Sequence, residues 1–247
     1  MNTCVFTCLF AVFSVLSAAD FVVGTTSGYA PFVSLDEKGD YVGFDIDIAK
    51  QLSKKLNRTL VIKDLGSMPA LFLALKQEKV DALIWAISIT RERQDKVAMI
   101  YYQGEKVTTL PLVFCNDKVA SLQELAQDPT ATVCVEAGSF QESFLQTVEG
   151  LRITYVDKVT DALLQLKYGK AQATMMDSSL VPKYKKQFPE LTVLDVALPD
   201  ALQSCGNGIC INKSRVELIQ EVENAIQQMQ QEGEIRKLEE KWGLVSK

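Results

Sequence analysis

Apolar positions along this chain follow two periods that take turns. Short apolar or alternating runs at 21–25, 59–62, 80–87, 110–114, 131–135, 151–156, 171–176, 191–194 and 208–211 read as strands. Stretches of helical spacing separate them. Phe44, Ile48, Leu52 and Leu56 fall four apart and predict a helix over 45–56, with Asp45 as its cap and Asn57 closing it. Ser67 offers an N-cap and Pro69 suits the first turn, where a missing N–H costs nothing, so a helix is expected from there through Gln77. Further helices are expected over 139–148, entered through Gly138, and over 160–168, stopped by Gly169. Near the end Ser214 and Glu217 form a capping box. Val216, Ile219, Val222, Ile226 and Met229 then give one apolar face, and Gly233 interrupts it before a last helix over 235–242. Strand and helix alternating in this way predict an α/β architecture.

Within that pattern the run Ala82 to Arg93 stands apart. An almost purely apolar segment ends abruptly in Ser88, Thr90 and Arg93. Charge-free runs of this length suit a strand buried on both faces, and the rim where such a strand ends is where ligands dock in α/β folds. Thr90 is a plausible N-cap for a short helix opening at Arg91, which places Arg93 one turn in, close to Ser88. A guanidinium fork, a hydroxyl and nearby backbone donors suit a carboxylate. A local echo adds to this: Leu73-x-Leu75-Lys76-x-x-Lys79-x-x-Ala82 recurs as Leu164-x-Leu166-Lys167-x-x-Lys170-x-x-Ala173, and the register matches Ala86 with Asp177. The echo is read either as the ordinary likeness of helix–strand units or as two similar lobes whose strand ends face a common cleft.

Composition narrows the function. The 247 residues allow one large domain or two of about 100 residues each. A net charge of −5 without any basic stripe argues against a nucleic-acid partner. The complete lack of histidine removes Ser-His and Cys-His catalysis and every His-ligated zinc site. Neither a phosphate loop nor a dinucleotide fingerprint is present, and no cofactor or metal is expected. Residues 4–19 are uncharged, too short for a comfortable membrane span, and end in Ser17 and Ala19 before Asp20. They predict a signal peptide over 1–19 and a periplasmic or other extracytoplasmic location, with a buried first helix as the alternative because the usual positive n-region is missing. Cys115, Cys134, Cys205 and Cys210 then remain, either as disulfides with three possible connectivities or as buried thiols.

The spacing Gly24-Thr25-x-x-x-Tyr29-x-Pro31-Phe32, Gly39-x-x-x-Gly43-Phe44-Asp45-x-Asp47-x-Ala49, Asp81-Ala82 and Ser88-Ile89-Thr90-x-x-Arg93 resembles family 3 of the extracellular solute-binding proteins, the polar amino-acid-binding proteins of ABC importers. The match is tight over 21–97 and looser to the end, through Glu234-x-x-x-Leu238 and Lys241-Trp242. The resemblance implies a two-lobed periplasmic-binding-protein fold of type II, with two hinge strands and a ligand cleft between the lobes. The first lobe would hold 20–105 and 203–247 and the second 106–202, with crossings near 104–109 and 200–206. It also implies that Arg93, aided by Ser88, pairs with a ligand α-carboxylate and that Asp177 receives the α-ammonium. Gly138, Ser139 and Phe140 would give backbone N–H groups, a role that also follows from exposed amides at a helix start. Tyr29, Met68 and Trp85 would line the side-chain pocket.

Two positions depart from the basic-amino-acid binders of the family. Ala86 stands where a hydroxyl is frequent, and Thr26 stands where some lysine/arginine binders carry an acid for the distal cation. Ring faces of Tyr29 and Trp85, and the carboxylate of Glu136, are then left to meet that cation. The look is nearest the ArtJ-type arginine-binding members, so a free basic amino acid, arginine first, is the expected ligand, with delivery to an importer permease. Glutamine or another polar amino acid is the competitor. Rival readings are an enzyme on the same scaffold, such as a cyclic-acid dehydratase working through Asp177 and Glu136, and a surface protein binding a partner.

Overall fold

The computed structural model describes residues 19–115 and 121–245; the expected signal peptide lies almost wholly outside them. In chain order the first half runs β1 (Asp20–Thr25), a small hairpin β2 (Ser34–Leu35) and β3 (Tyr41–Val42), α1 (Phe44–Lys55), β4 (Thr59–Asp64), α2 (Met68–Lys76), β5 (Ala82–Leu83), α3 (Arg91–Lys96) and β6 (Ala98–Val107). Next come β7 (Thr109–Cys115), α4 (Leu122–Gln127), β8 (Val133–Glu136), α5 (Phe140–Leu145), β9 (Ile153–Val156), α6 (Val159–Lys167), β10 (Ala173–Met175), α7 (Val181–Gln187) and β11 (Leu191–Ala197). The chain closes with β12 (Ser204–Ile211), α8 (Val216–Gln231) and α9 (Glu234–Trp242).

Two five-stranded sheets organise these elements. One has the order β4-β1-β5-β12-β6 and the other β11-β7-β10-β8-β9. In each, helix-connected strands pair in parallel, β1 with β4 and β5, β8 with β9 and β10, and antiparallel strands complete the sheet. The chain leaves the first sheet along β6 and returns along β12. These two strands pair antiparallel from Ala98↔Ile211 to Val107↔Ser204, so the pair forms the two hinge strands of a two-lobed α/β fold. Each lobe buries its own core. Phe21, Leu52, Leu71, Leu83 and Ile211 are among the sealed residues of the first, and Leu112, Val133, Leu145 and Ala173 of the second. The echo of the sequence falls on matching units: α2 leads into β5 as α6 leads into β10, with Leu75 and Leu166 buried and Leu73 and Leu164 exposed.

Several local expectations are corrected. The apolar run 80–87 pairs as a strand only at Ala82–Leu83; Ala86 takes a φ of 43°, and Ser88 afterwards bridges to Asn207. Periodicity reports burial, and these side chains are buried without a continuous ladder. Asp45 does not cap α1: Gly43 holds that position, and the Asp45 carboxylate is turned into the core. No capping box opens α8; the Ser214 hydroxyl donates to Glu78 Oε1 at 2.9 Å, and Val216 is 70% exposed rather than on the buried face. The hairpin, α4 and α7 carry too few patterned apolar residues to be seen in advance, and the apolar start of β6, Ala98 to Tyr102, went unread.

Cys134 and Cys210 are buried free thiols and Cys205 is exposed and free, so no disulfide joins these three. Among the described residues no helix is long and apolar enough to cross a membrane.

Gly43 is a position that only glycine fits. Its φ is 138°, and a Cβ there would lie 2.0 Å from the Phe32 carbonyl oxygen, a backbone atom that cannot step aside. Gly43→Ala is expected to destabilise the protein by about 3 kcal/mol or more, read as a large drop in the urea midpoint.

Candidate functional site

Arg93 is positioned by the start of α3. Thr90 caps that helix, its hydroxyl oxygen accepting the Arg93 N–H at 3.3 Å, as the sequence suggests. From one turn in, the Arg93 side chain turns back into the protein and is 8% exposed. Nη1 donates to the Ser88 carbonyl oxygen at 2.9 Å. Nη2 donates across to the Gly138 carbonyl oxygen at 3.0 Å, so one guanidinium touches both lobes. The Phe72 ring lies 5.8 Å from its Cζ. Burial pushes this guanidinium down from its ordinary value, and Cys210, Glu92 and Glu136 pull it back up. A buried cation that is met by carbonyls is held ready for an anion.

The opposite wall comes from the second lobe. Asp177 follows β10 and caps the single turn Ser178–Leu180, Oδ1 accepting the Ser179 N–H at 2.8 Å. That leaves Oδ2 outside the capping bond. Ser139 caps α5, its hydroxyl accepting the Glu142 N–H at 3.0 Å, while the Glu142 carboxylate accepts the Gly138 N–H. The Ser139 N–H donates to the Glu136 carbonyl at 3.3 Å. Two of the three amides expected to serve an anion are thus engaged within their own turn.

Arg93 and Asp177 line one cleft with Ser88, Ala86, Glu136 and Ser139, and its walls are the side chains of Tyr29, Trp85, Met68 and Phe140. The cleft is narrow and opens to solvent. Arg93 and Met68 also border a groove at its rim with Gly138, whereas Ser88 and Asp177 also border a groove on the hinge side with Gln103 and Asn207. The cation therefore stands toward the rim and the acid toward the hinge. Thr26 does not belong here: it is fully buried just past β1, sealed from the cleft, and its hydroxyl has no partner among the described residues.

The sequence missed Gln141, which lines the cleft, and the buried Asp45 carboxylate, which stands behind its wall at Ala86. Helix α5 begins only at Phe140, so its second residue still faces the cleft; an amide one position past the Gly-Ser-Phe turn was the available signal. Asp45 Oδ2 accepts the Ala86 N–H at 2.7 Å. A non-glycine residue at positive φ costs about 1–3 kcal/mol, and such strain persists where the surroundings hold it.

Electrostatics divide the acids. Burial pushes the Glu136 carboxyl up to about 8; Arg93 pulls it back, Asp157 pushes it further up and Lys158 lowers it. Tyr29 is raised well above its ordinary value by burial, then by Asp177, Glu136 and Asp45, so it stays a neutral hydroxyl and ring. Tyr29 packs 5.5 Å from Trp85 between ring centroids. The Trp85 indole N–H is buried with no acceptor among the described residues. Cation, acids and aromatic faces in one cleft suit a small zwitterion with a positively charged or polar tail. Among the described residues no cluster of three metal-ligating side chains occurs.

Comparison with known proteins agrees with this geometry. The model of the bacterial extracellular solute-binding proteins, family 3, matches residues 21–245. A probable ABC transporter arginine-binding protein, ArtJ, of Chlamydia trachomatis serovar D is 36% identical over 224 residues, which are 91% of this chain and 86% of the relative. An ancestral arginine-binding protein solved with arginine superposes with a TM-score of 0.78 at 29% identity, over 91% of this chain and 98% of that one; its glutamine complex gives the same score. The ancestral amino acid-binding protein AncCDT-1, a precursor of cyclohexadienyl dehydratase, gives 0.75 at 29% identity, over 91% and 95%. This chain belongs to family 3 of the bacterial extracellular solute-binding proteins.

Proposed function

We propose that the protein is the extracytoplasmic binding component of an amino-acid ABC importer, that it captures a basic amino acid, arginine first, and that it hands this ligand to a membrane permease. The observation that carries the reading is that Arg93 and Asp177 line one cleft, which also holds the buried carboxylate of Glu136. In this reading Arg93 and Ser88 take the α-carboxylate, Asp177 takes the α-ammonium, and Ser139, Phe140, Gln141 and the Gly138 turn close over the ligand from the second lobe. Tyr29, Trp85, Met68 and Ala86 shape the side-chain channel, and Glu136 meets the distal cation. The lobes are taken as 20–105 with 203–247, and 106–202, with 1–19 removed on export.

Capture by closure follows from linkage. A ligand shifts the hinge equilibrium only through contacts that the closed form has and the open form lacks. Arg93 already reaches from the Ser88 carbonyl to the Gly138 carbonyl, so an α-carboxylate seated on it would lie where the two lobes meet. A relative named for arginine and the arginine complex of the ancestral protein support a basic ligand. The glutamine complex of that same ancestral protein keeps glutamine as the second reading. The dehydratase precursor among the structural neighbours gives the enzyme reading a foothold, since Asp177 and Glu136 are the acids it would need.

Native mass spectrometry of the purified protein tests this directly. A retained mass of arginine, lysine or ornithine is expected. Retained glutamine, or turnover of an added cyclic acid, would overturn the basic-amino-acid reading.

A further inference from the structure

The Asp45 carboxylate serves no part of the ligand in the reading above, yet it is fully buried and fully used. It is the second residue of α1, where the helix N-terminus favours a negative charge. Its Oδ2 accepts the Ala86 N–H at 2.7 Å, and its Oδ1 accepts the Tyr102 hydroxyl at 2.7 Å. Tyr102 is itself sealed, stacks on Phe44 with ring centroids 6.0 Å apart, and lies on β6, one of the two strands that cross between the lobes. Ala86 lines the cleft at a φ of 43°, which alanine adopts only when held. Just before it, the Thr25 hydroxyl pins the Ile84 carbonyl at 2.9 Å, so the distorted segment is tethered from two sides.

We infer that Asp45 is a positioning residue for the ligand: by holding the Ala86 amide it keeps the cleft wall in its strained shape, and through Tyr102 it ties that wall to the hinge strand. The inference rests on the cleft being the amino-acid site. Burial pushes the Asp45 carboxyl up to about 7, and the Tyr102 and Ala86 hydrogen bonds hold it down, as two donors to an anion should. Without the tether Ala86 relaxes toward an ordinary extended backbone, and the wall between Trp85 and Ser88 moves with it.

The test pairs arginine calorimetry with amide hydrogen exchange by NMR, which reads Ala86 with no ligand present. In the parent the Ala86 amide is expected to exchange slowly, as a buried hydrogen-bonded group. Asp45→Ala is expected to speed that exchange and to weaken arginine binding by about tenfold or more. Asp45→Asn keeps a carbonyl oxygen for Ala86 and an amide for the Tyr102 oxygen, so it is expected to bind arginine within about threefold of the parent. A merely structural role would lower the melting temperature of both variants and leave binding by the folded protein untouched. Fast exchange of Ala86 in the parent overturns the inference even if Asp45→Ala does not fold. Parental arginine affinity in folded Asp45→Ala, or equal damage from Asn and Ala, also overturns it. If the parent ignores arginine, the ligand reading fails on its own, and the exchange data still decide the role of Asp45.

Discussion

Replacing Arg93 with alanine is expected to weaken arginine binding by several hundredfold or more, about 3–5 kcal/mol, the usual loss when one partner of a buried, hydrogen-bonded charge pair is removed. The fold should survive. Arg93 is buried against the Ser88 and Gly138 carbonyls without an acid partner in an ion pair among the described residues, and burial lowers its guanidinium from the ordinary value. Such a group is maintained at some expense of stability for the sake of what it binds. The melting temperature of Arg93→Ala should therefore stay close to that of the parent, within about 1 kcal/mol of stability. Arg93→Lys keeps the charge but loses the planar fork, and about a hundredfold loss is expected. Calorimetry with arginine, run beside a thermal melt, checks both halves. Normal binding by Arg93→Ala would remove the anchor of the site.

The second large effect is one of pH. Glu136 sits at about 8 in the folded protein because burial disfavours its charge. A cationic ligand tail favours the ionised form, so capture at neutral pH releases a proton. Arginine affinity should rise about tenfold per pH unit up to pH 8 and level off above it. The sign reverses for the protein alone. A carboxyl raised on folding binds its proton more tightly folded than unfolded, so its contribution to stability falls as pH climbs from the ordinary carboxylate range through 8. Asp45, raised to about 7, adds to the same trend. Arginine should thus stabilise the protein more at pH 8.5 than at pH 6, as a melting series in the two conditions would read. Glu136→Gln should flatten the pH profile, lower arginine affinity by about ten- to a hundredfold and spare glutamine. An unchanged arginine profile in this variant would show that the tail lies elsewhere.

How far the sequence reached depended on what each residue's pattern reports. Thr90, Arg91 and Arg93 form a local unit, with cap, helix start and side chain within four residues, and the structure builds it as the spacing predicts. The strand–helix order and the paired helix–strand units were legible for the same reason, since each lies within one turn-bounded segment. Distance in the chain is where reading stopped. That the Arg93 guanidinium meets the Gly138 carbonyl, 45 residues on, is a fact of how the lobes face each other. Asp45 looked like a cap because a carboxylate near a helix start usually is one. Only packing reveals that Gly43 takes the cap and that Ala86 and Tyr102, 41 and 57 residues away, claim the carboxylate. Thr26 was assigned to the cleft by its place in a motif, and burial behind the strand end keeps it out. The polar half of β6, with Gln103, Gly104, Glu105 and Lys106, hides a hinge strand because a crossing segment is not patterned as a core strand is.

A crystal structure of the protein with arginine bound would decide whether Arg93 and Asp177 grip the two ends of the amino acid. The expected result is the α-carboxylate on the Arg93 guanidinium, the α-ammonium within hydrogen-bond reach of Asp177, and the guanidinium tail against the exposed faces of the Tyr29–Trp85 pair beside Glu136. Arginine seated away from Arg93 and Asp177, or bound in the reverse sense with its tail on Asp177, would contradict it.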